Sequence, residues 1–345
     1  MLYTSLYGRK YMLEIQNEIK YRSAINRIAG TMLIFLLLTN TLGIIAQMLN
    51  EIWKLIPNEV ISTVASSLTD GIVYILGFML PVVFFRLLSK GQKIEPMKLA
   101  PCLPKETFAY IMAGMAVILV MSYLNYYMIS FTDYAAFAEE MLWVESYDSP
   151  HAIVMSFLTM AIIPAFVEEF LFRGLIQSNL RPYGRGVAII GSAVIFGAMH
   201  QNIQQIFYAT IAGLVLGYLY EVTDSIWCSI LLHFLNNSVS VFNTVISHRF
   251  DAPVADRIQV LIDGAIFGIG AICLIGLICR RTRKPDFTNG YFAQSMPDAP
   301  DYVACEVEVN RKIRLFFSPM MIAYLVLCFS TMVTYFAIAL LTYGK

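Results

Sequence analysis

The chain has 345 residues, 58% of them hydrophobic and 14% charged, with a formal net charge of zero. Soluble domains carry roughly 45–50% apolar and about 25% charged residues. With a mean hydropathy of +0.65 this chain has too few polar groups for a soluble exterior, and disordered chains, which are polar and charged, are excluded by the same numbers. The balanced charge gives no reason to expect a nucleic-acid partner, so an integral membrane protein remains.

A helix needs about 20 mostly apolar residues to cross the hydrocarbon core. Nine apolar runs are read in chain order: 28–49, 66–88, 107–131, 151–180, 186–200, 206–221, 226–247, 258–279 and 315–343. None alternates as a transmembrane β-strand would. The expected fold is therefore all-α, a polytopic transmembrane helical bundle of eight or nine spans. Residues 1–150 supply three helices with their loops, 151–247 a core of four helices, and 248–345 two more helices with an insert at about 285–313. The fifth and sixth runs are short for full spans. The polar stretch His200-Gln-Asn-Ile-Gln-Gln205 joins them and must be buried in protein or line a water-filled cavity.

Lysine and arginine concentrate on the cytoplasmic side of membrane proteins. With nine crossings, all basic residues except Lys54, Arg249, Arg257 and Lys345 fall on the side of the N-terminus. The N-terminus is accordingly expected in the cytoplasm, and the acidic loop 132–150 outside. No cleavable signal peptide is visible. The brevity of the chain points to a bacterial plasma membrane. The six cysteines (102, 228, 273, 279, 305 and 328) contain no CxxC pair and read as small buried hydrophobes. Asp301–Asn310 alternates enough to allow a short strand.

Ionisable groups inside a bilayer are costly and mark function by default. Phe166-Val-Glu168-Glu169-Phe-Leu-Phe-Arg173 lies in the fourth run. Neighbouring helical residues point about 100° apart, so the two carboxylates face different directions. Glu169 and Arg173, four apart, can pair. Glu168 has no local partner, which suits a group that exchanges protons. Pro164, one turn earlier, removes a backbone hydrogen bond and should kink the helix. Phe196-Gly-Ala-Met-His200 ends the fifth run, with Phe196 and His200 on one face. In His233-Phe-Leu-Asn236-Asn237, His233 and Asn237 share a face and Asn236 points elsewhere, free to bond across helices. The competing readings are a structural ion-pair cluster for the first segment, a packed histidine for the second and interhelical polar glue for the third. Depth separates the two views. At 1.5 Å per residue, Glu168, His200, His233 and Asn237 lie about 18, 21, 12 and 18 Å from the inner boundary. Scattered structural polar groups need not agree so closely. His151 and His248, at the ends of their runs, read as interfacial, and Gly213-x-x-x-Gly217 as close helix packing.

A carboxylate, two histidines and an asparagine in the membrane suit peptide-bond hydrolysis. The carboxylate would activate water, and a histidine with the asparagine would stabilise the oxyanion. Glu168, His200 and His233 could instead ligate Zn²⁺, because two histidines and a glutamate form a catalytic zinc set with an open water position. No HExxH, GxSxG or GxGD motif is present.

The three motifs, Glu168-Glu169-x-x-x-Arg173, Phe196-x-x-x-His200 and His233-x-x-x-Asn237, resemble in order those of the CPBP family. That family comprises type II CAAX prenyl endopeptidases and bacteriocin-processing or immunity proteins. The stretch Leu216–Trp227 is also similar to the family, and the likeness covers about residues 155–240. It implies an intramembrane endopeptidase acting on a membrane-associated peptide or protein within the lipid bilayer. It also implies Glu168 as the activating carboxylate, His200, His233 and Asn237 around the water and oxyanion, and Glu169 and Arg173 in the framework. The resemblance leaves both a metal-dependent and a metal-free mechanism open. Two other readings stand beside the protease: a non-catalytic immunity protein or sensor scaffold of the same fold, and a proton-coupled transporter. A transporter usually shows two similar halves, and no second copy of the motifs is found.

Overall fold

The computed structural model describes residues 2–102, 104–130, 147, 149–283 and 309–343. The acidic loop 132–150 lies almost wholly outside these residues, as do the possible strand 301–310 and Cys305. Among the described residues every regular element is helical, and one isolated bridge, Leu99 to Ser225, is the only β pairing. The helices are α1 (Leu2–Trp53), α2 (Glu59–Leu88), α3 (Pro104–Ser130), α4 (Pro150–Tyr183), α5 (Arg185–Met199), α6 (Ile203–Thr223), α7 (Ile226–Arg249), α8 (Ala252–Arg283), α9 (Val309–Phe316) and α10 (Pro319–Tyr343). Eight are long and apolar enough to cross a membrane. α5, with 15 residues, is about 22 Å long at 1.5 Å per residue and falls short of the hydrocarbon thickness. The sixth run is longer than its sequence suggested. α6 begins at Ile203, inside the polar stretch, and spans with 21 residues.

The apolar excess is distributed as a bilayer requires. Side chains that a soluble fold would bury face outwards, among them Leu37, Leu261, Ile272 and Leu341. α4 sits at the centre, packed against α2, α5, α6 and α7, while α1 pairs with α2 and α3 with α6 and α8. The two glycines of the GxxxG pattern make the close approaches expected of them. A Cβ on Gly213 would meet the Ala193 backbone at 3.0 Å, and one on Gly217 would meet Gln177 Oε1 at 2.8 Å.

One end of the bundle is tied by charge. Lys98 Nζ lies 2.9 Å from Glu221 and 2.8 Å from Asp224, and Arg181 Nε lies 3.2 Å from Glu221. The α2–α3 connection, the end of α4 and the end of α6 therefore meet on one side of the membrane. α5 must carry the chain far enough across for α6 to return.

α4 departs from regular α geometry. It opens into wide π-helical turns at Phe157–Ile162 and Phe170–Gln177, and closes on a 3₁₀ turn at Arg181–Tyr183. Pro164 explains the first. It has no N–H to give the carbonyl of Met160, four residues back, and its ring clashes there in a regular helix. Of the cysteines, Cys228 and Cys328 are buried as expected, but Cys102 and Cys273 are half-buried and Cys279 is exposed. Cys279 sits on α8, most of whose surface faces outwards. Cys102, Cys228, Cys273 and Cys328 are in no disulfide.

Candidate active site

Glu169 and Arg173 pair as their spacing requires, Arg173 Nη1 donating to Glu169 Oε1 at 2.8 Å with both side chains fully buried. Arg173 is held twice more. Nη2 donates to the Gly213 carbonyl at 3.1 Å, and the guanidinium lies 4.6 Å from the centre of the Phe196 ring. Only a planar fork reaches a carboxylate, a carbonyl and an aromatic face at once. Glycine at 213 lets α6 come close enough for its carbonyl to be reached. One turn along, Gln177 repeats the contact, donating to the Gly217 carbonyl at 2.9 Å and to Glu221 Oε1 at 3.1 Å. Arg173 and Gln177 of α4 thus reach Gly213, Gly217 and Glu221 of α6, a polar ladder with a four-residue step that starts from Glu169. It joins the site to the ionic cluster at the bundle end.

Glu168 acquires partners from distant sequence. The Tyr74 hydroxyl, from α2, donates to Glu168 Oε1. Glu168 Oε2 is buried and makes no hydrogen bond, and it lies 3.9 Å from His233 Nε2. His233 Nδ1 lies 2.9 Å from Glu169 Oε1. The two carboxylates do point different ways, one to α2 and one to Arg173, yet a single imidazole spans both. Its two nitrogens face the two carboxylates across the 100° offset.

These contacts define protons. Glu169 Oε1 already accepts from Arg173, so His233 Nδ1 carries the hydrogen and Nε2 is an acceptor whenever the ring is neutral. His200 Nδ1 lies 2.8 Å from the Phe196 carbonyl, which can only accept, so His200 also has Nδ1 protonated and Nε2 free. The Phe196 ring stands between the histidines, 5.1 Å from that of His200 and 6.1 Å from that of His233. A neutral His233 Nε2 and an ionised Glu168 Oε2 both present lone pairs to one another. A single water donating one hydrogen to each satisfies both.

Asn237 completes the set through the distortion of α4. Its Nδ2 donates at 3.2 Å to the Met160 carbonyl, which Pro164 leaves without its helical donor. Asn236 points away from that face, as read from the sequence, and bonds across to α6, pairing with the Tyr208 hydroxyl, while its Nδ2 also donates to Asn237 Oδ1 at 3.2 Å. The turn after His200 is half-buried, and Gln201 adopts a left-handed backbone with φ of 50°. That conformation turns the chain back directly beside the histidine. His151 is half-buried, and His248 is exposed at the helix end with its ring 5.1 Å from that of Tyr147.

Each histidine spends Nδ1 on an acceptor and leaves Nε2 for a ligand, the pattern of metal-bound imidazoles. The proposed zinc set does not converge, however. Among the described residues no group of three His, Cys, Asp or Glu side chains is arranged to hold a metal ion, and Glu168 spends one oxygen on Tyr74. As placed, Glu168, His200 and His233 do not fit a three-ligand Zn²⁺ site.

Residues 150–239 match the family model described as type II CAAX prenyl endopeptidase Rce1-like. The matched segment runs from the start of α4 into α7 and holds Glu168, Glu169, Arg173, His200, His233 and Asn237. Tyr74 and the ionic partner Lys98 lie outside it. The chain matches no curated protein and no solved structure.

Three contributors escaped the sequence reading. Gln177 could have been found, because it continues the spacing from Glu169 through Arg173. Glu221, inside the stretch Leu216–Trp227, stands four residues from Gly217. Tyr74 left no signal: it is one of 20 tyrosines, in an apolar run 94 residues from Glu168.

Proposed function

We propose that the protein is an intramembrane endopeptidase in which Glu168 activates water against a peptide bond of a membrane-associated substrate. The observation that carries this reading is the Glu168 carboxylate. Tyr74 holds one oxygen, and the other is buried, unpaired and 3.9 Å from His233 Nε2. A buried acceptor without a partner costs about 1–3 kcal/mol, and a water between Oε2 and Nε2 removes that cost. This is the water the reaction consumes. Glu168 takes its proton while the oxygen attacks the carbonyl carbon. The carbonyl oxygen becomes an oxyanion, and the proton then passes to the leaving amine nitrogen as the C–N bond breaks.

The other residues fall into place around that step. Glu169, fixed by Arg173, holds the His233 tautomer, so Nε2 faces the water. Asn237 Nδ2 is a neutral donor suited to the oxyanion. His200 donates through Nε2 only when doubly protonated; when neutral it accepts, and so orients the water. The N-terminus and the basic loops face the cytoplasm on this reading, in a bacterial plasma membrane.

A screen of purified protein in proteoliposomes against a broad library of membrane-anchored peptides tests the proposal. Cleavage of at least one peptide is expected. Peptide binding without cleavage across the library would favour the scaffold reading.

A further inference from the structure

A second site lies away from the carboxylates, where α1, the end of α2 and the start of α10 leave an open cavity of about 840 Å³. Leu88, on its wall, is fourteen residues along α2 from Tyr74, about 21 Å from the active site. The cavity has two chemistries. Gly30, Leu33, Leu88 and Met320 make an apolar floor, while Arg22, Ser23, Arg27 and Gln92 make a polar rim. Arg22 also lines an adjoining cavity of about 520 Å³, shared with Arg311 and Arg314.

The rim carries a surplus of positive charge. Arg311 is paired with Glu18. Arg27 has only neutral company: Nη1 donates to the Ser89 hydroxyl at 2.9 Å, the guanidinium lies 5.5 Å from the Phe85 ring centre, and Nε is buried without a hydrogen-bond partner. Arg22 and Arg314 are exposed, and among the described residues neither forms an ion pair. The lining belongs to three helices: the apolar run within α1 starts near residue 28, α2 ends at Leu88 and α10 begins at Pro319, all at one level. That level is the boundary of the hydrocarbon core, with the floor within it and the arginines at the headgroups.

We infer that this groove binds an anionic phospholipid, its phosphate among Arg22, Arg27 and Arg314 and an acyl chain along Leu33, Leu88 and Met320. Charge complementarity and depth choose that occupant. A free anion needs no apolar floor, and at this depth the molecules that fill open grooves are acyl chains. Basic pockets between membrane helices hold phospholipid headgroups in this way.

The test uses the full-length protein in nanodiscs of equal phosphatidylglycerol and phosphatidylcholine, with retained lipid counted by native mass spectrometry. Phosphatidylglycerol should be retained preferentially. Arg22→Gln should weaken that retention roughly fivefold, and Arg22→Gln with Arg314→Gln roughly thirtyfold, since each arginine at a lipid surface contributes about that factor. Arg22→Lys should keep it. Equal retention of the two lipids by the wild type would overturn the inference, as would undiminished retention by the double variant. Displacement of the lipid by inorganic phosphate would make the groove a site for free anions. Binding that appears only when residues 285–308 are deleted would give it to that segment of the chain.

Discussion

Gly197→Ala is the sharpest steric test of how the site is held. A Cβ at 197 would stand 1.9 Å from Thr210 Oγ1 and 2.9 Å from the Ile206 carbonyl oxygen. The threonine side chain can rotate away, at the cost of its 2.6 Å hydrogen bond to Ile206. The carbonyl is helix backbone and cannot. Restoring an ordinary contact of 3.4 Å from 2.9 Å means parting α5 from α6 by about 0.5 Å. Overpacking of this kind costs about 1–3 kcal/mol. Phe196 and His200 flank the displaced residue, and a misplacement of about 1 Å can cost on the order of 100-fold in rate. A 0.5 Å shift therefore predicts roughly tenfold slower cleavage together with a lower melting temperature in detergent. Adding Thr210→Ala should recover only part of both, because the carbonyl contact persists. Gly268→Ala is the control: nothing lies within 4 Å of its Cβ, and alanine in a helix is favoured by about 1 kcal/mol. The reasoning fails if Gly197→Ala melts and cleaves like wild type.

Arg173→Lys keeps the charge but cannot reach Glu169 and the Gly213 carbonyl together. It should lower stability by a sizeable part of the roughly 3–5 kcal/mol that breaking a buried ion pair costs, read as the midpoint of a denaturant titration in mixed micelles. Tyr74→Phe preserves the ring and removes one hydrogen bond to a charged group, worth about 1.5–3 kcal/mol. Cleavage should fall about tenfold or more with KM nearly unchanged, whereas an unchanged kcat would remove Tyr74 from the site. Chelation should leave cleavage intact and elemental analysis should find no stoichiometric metal, because Glu168, His200 and His233 do not converge on one point. Loss of activity on chelation, restored by Zn²⁺, would reverse that conclusion.

What could be read in advance follows from the range of each interaction. The Glu169–Arg173 pair, the shared face of Phe196 and His200 and the rotation of Asn236 away from the His233 face are contacts within one helix or its direct consequences, and helical periodicity exposes them. Agreement in depth placed residues 168, 200, 233 and 237 in one layer, but depth carries no rotation about the helix axis. Hence the bridging of both carboxylates by His233 could not be seen. Tyr74 depends on α2 packing against α4, information that no local spacing holds. The role of Pro164 was half legible. Loss of a hydrogen bond was expected, but its outcome, a wide turn whose Met160 carbonyl receives Asn237, requires the position of α7. The sixth run looked short because its first turn is polar. That turn is helical all the same, since Asn202 accepts from the backbone N–H groups of Gln205 and Ile206 at 3.0 and 2.9 Å.

The central claim is that Glu168, and not its neighbour, activates the water. Wild type, Glu168→Gln and Glu169→Gln, purified and reconstituted alike, can be compared on a cleaved membrane peptide under single-turnover conditions. Glu168→Gln keeps the shape and the acceptor for Tyr74 but cannot take a proton, so it should retain the wild-type melting temperature and lose cleavage by at least about 100-fold. Glu169→Gln weakens the hold on Arg173 and His233, so it should lose stability and activity together. Cleavage by Glu168→Gln at the wild-type rate would contradict the account.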